Sequence, residues 1–167
     1  MDLTTVEAIR QVKYRYLRCV DLKLWDEIGD TFTCDATVNY GAVAYGKPLR
    51  VDGRAQIVVF LRTKLGPDIL TMHTAGQPEI TVAPDGRSAT GIWSFQDTVI
   101  STGHRIMISG AAFCNDRYEL CADSRWRIAH TTYSRVYETM ISLDDLPSFK
   151  LIAQLKSDIA DRVASLG

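Results

Sequence analysis

Tyr16, Asp21 and His73 supply a phenol, a carboxylic acid and an imidazole. His73 sits in the run Thr71-Met72-His73-Thr74-Ala75-Gly76, with no second His or Cys beside it to suggest a metal. Gathered in an apolar pocket, these three groups can move protons without a cofactor. The imidazole would take a proton from an acidic C–H, and the carboxylate would fix its tautomer and stabilise the imidazolium. The phenol would donate to a carbonyl as enolate charge develops. Asp97 is a fourth candidate, as a second base or a protonated donor. Arg135, late in the sheet-forming part of the chain, is placed to neutralise Asp97 or Asp21.

These residues need elements to hold them. Thr4-x-x-Glu7 reads as a capping box, and Val6, Ile9, Val12, Tyr16, Cys19 and Val20 recur at helical spacing to give one apolar face. Tyr14 falls about 200° away from Tyr16 on that helix, so Tyr16 is the tyrosine expected to point inward. A second short helix is predicted over residues 25–32, with Trp25, Ile28 and Phe32 on one side, which leaves Asp21 at the junction. A first strand follows over 36–40 and a loop over 41–48. Asp52 is the predicted N-cap of a third helix whose stripe is Ile57, Phe60, Leu61 and Leu65, ended by Gly66-Pro67.

The pattern then changes to period two. Strands are expected over 77–83 and 88–100 around the turn Pro84-Asp85-Gly86, then over 105–120 and 125–136 around Ala122-Asp123-Ser124. From Pro147 helical spacing returns at Ile152, Leu155, Ile159 and Val163, giving a terminal helix over about 144–166. Strand alternation puts Trp93, Phe95, Asp97 and Val99 on one face and Ile92, Ser94, Gln96 and Thr98 on the other. The first face is the more apolar, so Asp97 points inward and needs a partner or a shifted pKa. Helices, an antiparallel meander and a last helix make an α+β domain.

Composition narrows the function classes. The chain has 167 residues, 46% of them hydrophobic and 23% charged, with a net charge of −1. That is expected to fold as one domain over 1–167, with its core over about 5–137. The charge balance argues against nucleic acid as a partner, and no apolar run approaches the ~18 residues of a membrane span. Met1-Asp2-Leu3-Thr4 carries an acid and no apolar stretch, so no secretion signal is expected and the location expected is cytoplasmic. Cys19, Cys34, Cys114 and Cys121 form no Cys-x-x-Cys pair, and reduced cysteines with neither zinc nor disulfide are the expectation.

The segments AIRQVKYRYLRCVDLKLWDEIGDTFTCDATVNY, GRAQIVVFL, MHTAGQPEITV, GIWSFQD and SRWRIAHTTYSRV together resemble the SnoaL-like branch of the nuclear transport factor 2-like and scytalone dehydratase-like superfamily. That resemblance implies a cone-shaped α+β barrel, its helices packed on a curved antiparallel or mixed sheet. Bile-acid 7α-dehydratases of this group carry a Tyr, an Asp five residues later, a sheet His and a further strand Asp. Tyr16, Asp21, His73 and Asp97 match them. Asp21 and His73 also match the dyad of the hexachlorocyclohexane dehydrochlorinases, in which a lysine stands at the place of Tyr16. Scytalone dehydratases use a second pocket His, for which His104 and His130 are the candidates here.

The resemblance and the residues together imply a cofactor-independent lyase of the dehydratase type, or an isomerase using the same base. Its substrate would be a hydrophobic cyclic molecule, steroid-like, polyketide or aromatic. Trp25, Phe60, Trp93, His130 and Arg135 are the expected ligand-binding residues, with no metal or cofactor. The alternative is a non-catalytic small-molecule-binding or dimerisation module of the same fold. Each residue also has a structural alternative: His73 as a satisfied strand histidine, Asp21 as a helix cap, Tyr16 as core, Asp97 as a paired acid and His130 as packing. The enzyme reading requires Asp21 within hydrogen-bond reach of His73, both at an enclosed cavity. A homodimer or homotrimer is expected, packed through the terminal helix.

Overall fold

An apolar stripe at helical spacing, Val6, Ile9, Tyr16, Leu17 and Val20, is buried along α1 (Leu3–Leu22). Residues 3–40 and 49–154 are described in this computed structural model. Among the described residues the helix already includes Leu3, so Thr4 lies inside it and not ahead of it. Tyr16 is buried and Tyr14 exposed, as their angular separation requires. Lys23 ends the helix in the left-handed region (φ 61°), and the N–H of Leu24 closes onto the Cys19 carbonyl at 2.9 Å.

The helix expected over 25–32 is shorter. It consists of one α turn, α2 (Trp25–Ile28), and a 3₁₀ turn, Gly29–Thr31, after which Phe32 already opens β1 (Phe32–Tyr40). A strand with no counterpart in the sequence reading, β2 (Leu49–Asp52), pairs antiparallel with β1. Asp52 therefore does not cap the third helix. It ends β2 and accepts from Arg50 Nε at 2.8 and 3.1 Å, while Gly53 takes the cap position at φ 88°, a conformation that favours glycine. Helix α3 (Arg54–Lys64) buries Ile57 and Leu61 and leaves Phe60 and Leu65 half-buried.

Four long strands complete the sheet: β3 (Ile69–Val82), β4 (Ser88–Ser101), β5 (Ile106–Leu120) and β6 (Trp126–Ser142). The strand expected from residue 77 begins at Ile69, which places His73 inside β3, and the last strand runs to Ser142, past the expected end at 136. The sheet order is β2-β1-β6-β5-β4-β3. Among the described residues only β1 and β6 run parallel and every other pair is antiparallel, so the sheet is mixed. Register shifts bend it, two of them between β5 and β6, and α1 and α3 pack across the hollow this makes. The result is a cone of helices over a curved sheet.

The expected terminal helix is corrected over its described part, residues 144–154. A 3₁₀ turn, Leu143–Asp145, anchored by buried Leu143, follows β6, and residues 146–154 carry no helix. Pro147 bars the α conformation from the residue before it and offers no N–H of its own. Leu155, Ile159 and Val163, with the expected loop over 41–48, lie outside the described residues. Among the described residues, no helix is long and apolar enough to cross a membrane, and no cluster of His, Cys, Asp or Glu could hold a metal ion.

Candidate active site

Asp21 occupies the last turn of α1, facing the edge strand β3. Its carboxylate is the focus of three donors. The Nδ1–H of His73 reaches Oδ1 at 2.5 Å, the Thr71 hydroxyl donates to the same oxygen at 2.9 Å, and the backbone N–H of His73 donates to Oδ2 at 2.9 Å. Lys23 Nζ in turn donates to Thr71 Oγ1 at 3.2 Å. Both members of the dyad are largely buried, at 13% and 11% side-chain exposure for His73 and Asp21. With Nδ1–H committed to a carboxylate, the lone pair of His73 lies on Nε2. No partner meets Nε2 among the described residues, and His73 lines a cavity.

That cavity lies between α1, α3 and the inner face of the sheet. Its volume is about 160 Å³ and it is partly open to solvent. Leu17, Val20, Phe60, Leu61, Leu65 and Phe95 give it apolar walls. Tyr16 enters from α1; five residues turn a helix through about 500°, so Tyr16 faces the cavity while Asp21 reaches sideways to β3. Tyr16 Oη lies 3.0 Å from Tyr40 Oη. Burial raises both phenols above the ordinary tyrosine range, so both stay protonated at neutral pH. One donates to the other, and the second hydroxyl hydrogen is left for a ligand.

Asp97 stands directly opposite His73 in the β3–β4 register and lines the same cavity. Both its oxygens accept from Arg135, at 2.6 and 2.7 Å. Asp97 belongs to β4 and Arg135 to β6, so the guanidinium must cross β5 between them. It does so at Gly110, where an added Cβ would come within 2.7 Å of Arg135 Nη1. The two bonds hold the Asp97 carboxylate ionised and fixed in orientation at the cavity wall. Its Arg135 pair also supports a stack of planar groups: His73 on Phe95 (5.5 Å between centroids), Phe95 on Tyr133 (6.0 Å), and the Arg135 guanidinium over Tyr133 (4.9 Å).

Of the residues expected to bind a ligand, Phe60 lines the cavity and Arg135 reaches it through Asp97. Three others lie outside the lining. Trp25 faces a separate groove beyond Asp21, shared with Lys23 and Met72. Trp93 is fully buried and gives its indole N–H to Tyr118 Oη at 3.0 Å. His130 is turned away by a bulge: Tyr118 pairs with Ile128 but Arg117 with His130, so one extra β6 residue reverses the alternation. Thr131 therefore faces the cavity and His130 bonds Thr37 at 2.6 Å. His104 lies in the β4–β5 turn, against Ser101.

The sequence reading missed Lys13 and Asp116. Their ion pair is 2.7 Å long at 1% and 0% side-chain exposure. Asp116 also accepts from Tyr118 at 2.7 Å and Thr131 at 2.6 Å. Burial pulls the Lys13 pKa down, but Asp116 and Cys114 more than offset it, so the amine stays charged. Cys114, beside it, is pushed up to about 11 by burial. The signals were legible: Lys13 falls between Ile9 and Tyr16 on the buried stripe, and Asp116 alternates with Ala112, Cys114 and Tyr118.

A family model described as a SnoaL-like domain matches residues 1–132. Among solved structures, the chain is similar to a hexachlorocyclohexane dehydrochlorinase, LinA-type3, from Novosphingobium barchaimii LL02, with a TM-score of 0.73 and 15% identity over 91% of this chain and 97% of that one. It is also similar to the Kfla4162 protein of Kribbella flavida (TM-score 0.72, 18% identity, 81% and 93% covered). A third is ActVI-ORFA of Streptomyces coelicolor (TM-score 0.64, 14% identity, 78% and 96% covered). At these identities the likeness concerns the fold, the same helix-covered cone.

Proposed function

Because the chain belongs to the SnoaL-like domain family, we propose that it is a cofactor-independent lyase of the dehydratase type, or an isomerase, that abstracts a proton beside a carbonyl of a cyclic molecule. The observation that carries this reading is the 2.5 Å bond between His73 Nδ1 and Asp21, with Nε2 free on an apolar cavity. His73 Nε2 takes the α-proton, and the C–H electron pair moves into the enolate. The oxyanion accepts from the unspent hydroxyl of the Tyr16–Tyr40 pair. In elimination, the enolate collapses to a double bond, the β-hydroxyl departs, and the imidazolium returns its proton to that oxygen as water forms. In isomerisation, the same proton goes back to a different carbon. A positioned base of this kind contributes roughly 10²- to 10⁴-fold. The partly open volume of about 160 Å³ compares with the roughly 150 Å³ cavity known to enclose benzene. It favours a one- or two-ring molecule, one ring enclosed and a fused ring at the opening, over a steroid nucleus.

The test is hydrogen exchange. In D₂O, the C2 protons of 1-tetralone should exchange faster with the protein than without it, as read by proton NMR. His73→Ala should lose 100-fold or more of that rate. Exchange unchanged in a folded His73→Ala protein would overturn the role given to His73. No exchange with any ring ketone, but saturable binding, would support the binding-module alternative. A homodimer or homotrimer is also part of this reading. It rests on the exposed apolar side chains Phe113, Val136, Tyr137 and Met140 along β5 and β6, and a monomer in analytical ultracentrifugation would remove it.

A further inference from the structure

Lys13 is a buried cation whose bonding is incomplete. Its ammonium has three N–H donors, yet Asp116 Oδ2 is its one oxygen acceptor among the described residues. Its other close neighbours are the Cys114 thiol, a weak acceptor, and the rings of Tyr16 and Trp93 at 5.8 and 5.9 Å. Asp116 does not depend on Lys13 alone, because Tyr118 and Thr131 also donate to it. The arrangement has a direction. Lys13, Cys114 and Thr131 line the cavity while Asp116 stands behind them. The ammonium therefore borders the cavity from its buried side.

Position along α1 sets the scale. Lys13 precedes Asp21 by eight residues, a rise of about 12 Å along the helix axis. Lys13 is at 1% side-chain exposure and His73 at 13%, so Lys13 marks the inner end and the dyad lies nearer the opening. Leu17, Val20, Phe60, Leu61, Leu65 and Phe95 line the same cavity. A buried ion pair contributes little net stability compared with apolar side chains of the same volume, so structural need alone is a weak reason for a lysine here.

We propose that Lys13 is a specificity-determining residue that hydrogen-bonds an accepting oxygen, a phenol or carbonyl, at the end of the ligand remote from the C–H met by His73. The substrate class is then a one- or two-ring ketone with a second oxygen on the far ring. Which end reacts rests on the proton-abstraction reading above; binding of the remote oxygen does not. An apolar inner end would reject such an oxygen, because burying it unpaired is unfavourable.

The probes are 1-tetralone and 6-hydroxy-1-tetralone, which differ only by an oxygen on the far ring, titrated calorimetrically against the whole protein. Wild type should bind the hydroxy compound about 10-fold or more tightly, the size expected for a hydrogen bond to a charged group. Lys13→Met should bring the two affinities within about twofold. Since that variant strands a buried carboxylate, Lys13→Met/Asp116→Asn is the companion that removes both charges; the amide oxygen accepts from one of Tyr118 and Thr131, and its NH₂ donates to the other hydroxyl, which can also accept. Equal binding of both probes by wild type overturns the proposal, as does a preference that survives in either folded variant. C2 exchange, read separately, distinguishes the two claims. Preference without exchange removes the catalytic reading and keeps the Lys13 site, whereas exchange without preference does the reverse.

Discussion

Replacing Asp21 by Asn tests the dyad most directly, because the carboxamide is isosteric and every partner of the carboxylate is a donor. Three donors converge on its two oxygens. Asparagine has one acceptor oxygen, so its NH₂ must face a donor in either orientation. Placed at Oδ2 it opposes the backbone N–H of His73. Placed at Oδ1 it forces the proton of His73 onto Nε2, the nitrogen required as base. Either way the imidazolium formed on proton abstraction loses its counter-charge. Two unit charges about 4 Å apart at an effective dielectric near 20 interact by roughly 4 kcal/mol, which is about a thousandfold in rate. Stability should fall by about 1.5–3 kcal/mol for the lost charged hydrogen bond. The assay is C2 exchange of 1-tetralone in D₂O, with urea unfolding run on the same preparation. If folded Asp21→Asn exchanges within about threefold of wild type while His73→Ala is inactive, the carboxylate neither orients nor stabilises the imidazole, and the reasoning fails.

Other substitutions report on the remaining charges. Tyr16→Phe removes half of the Tyr16–Tyr40 pair and should lower exchange by roughly 10²-fold with no change in oligomeric state; a rate within twofold of wild type would take Tyr16 out of the oxyanion role. Lys13→Met should destabilise the fold by about 3–5 kcal/mol by stranding Asp116, or about 6–20 °C in Tm for a chain of this length. The double variant Lys13→Met/Asp116→Asn should recover most of that loss, and equal melting of the two would show that no charge is stranded. Lys23 is lowered to about 8, by burial above all. Between pH 8 and 10 the unfolded chain then binds the extra proton, so wild-type stability should rise across that window relative to Lys23→Met. A difference between the two proteins that stays flat with pH contradicts this.

Local periodicity in the sequence was enough to place α1, to turn Tyr16 inward and Tyr14 outward, and to set Asp97 on the face shared by Trp93 and Phe95. Those outcomes depend on neighbours two to five positions away, and the angle per residue is fixed by backbone geometry. The same local rule sets Lys13 and Asp116 on buried stripes, where a charged side chain is itself a signal.

Tertiary structure alone decided the rest. Asp21 meets His73 from fifty-two residues away, an encounter set by how α1 docks on the edge strand. Arg135 reaches Asp97 only because Gly110 leaves a gap in the strand between them. A bulge in β6 chose Thr131 over His130 for the cavity, and no alternation count within β6 reveals it, since a bulge is a property of two strands paired in register. Residue type made Tyr16, Asp21 and His73 candidates for proton transfer. Strand register and helix docking determined that Asp21 grips His73, that Tyr16 turns to Tyr40, and that Lys13 meets Asp116 beside the cavity.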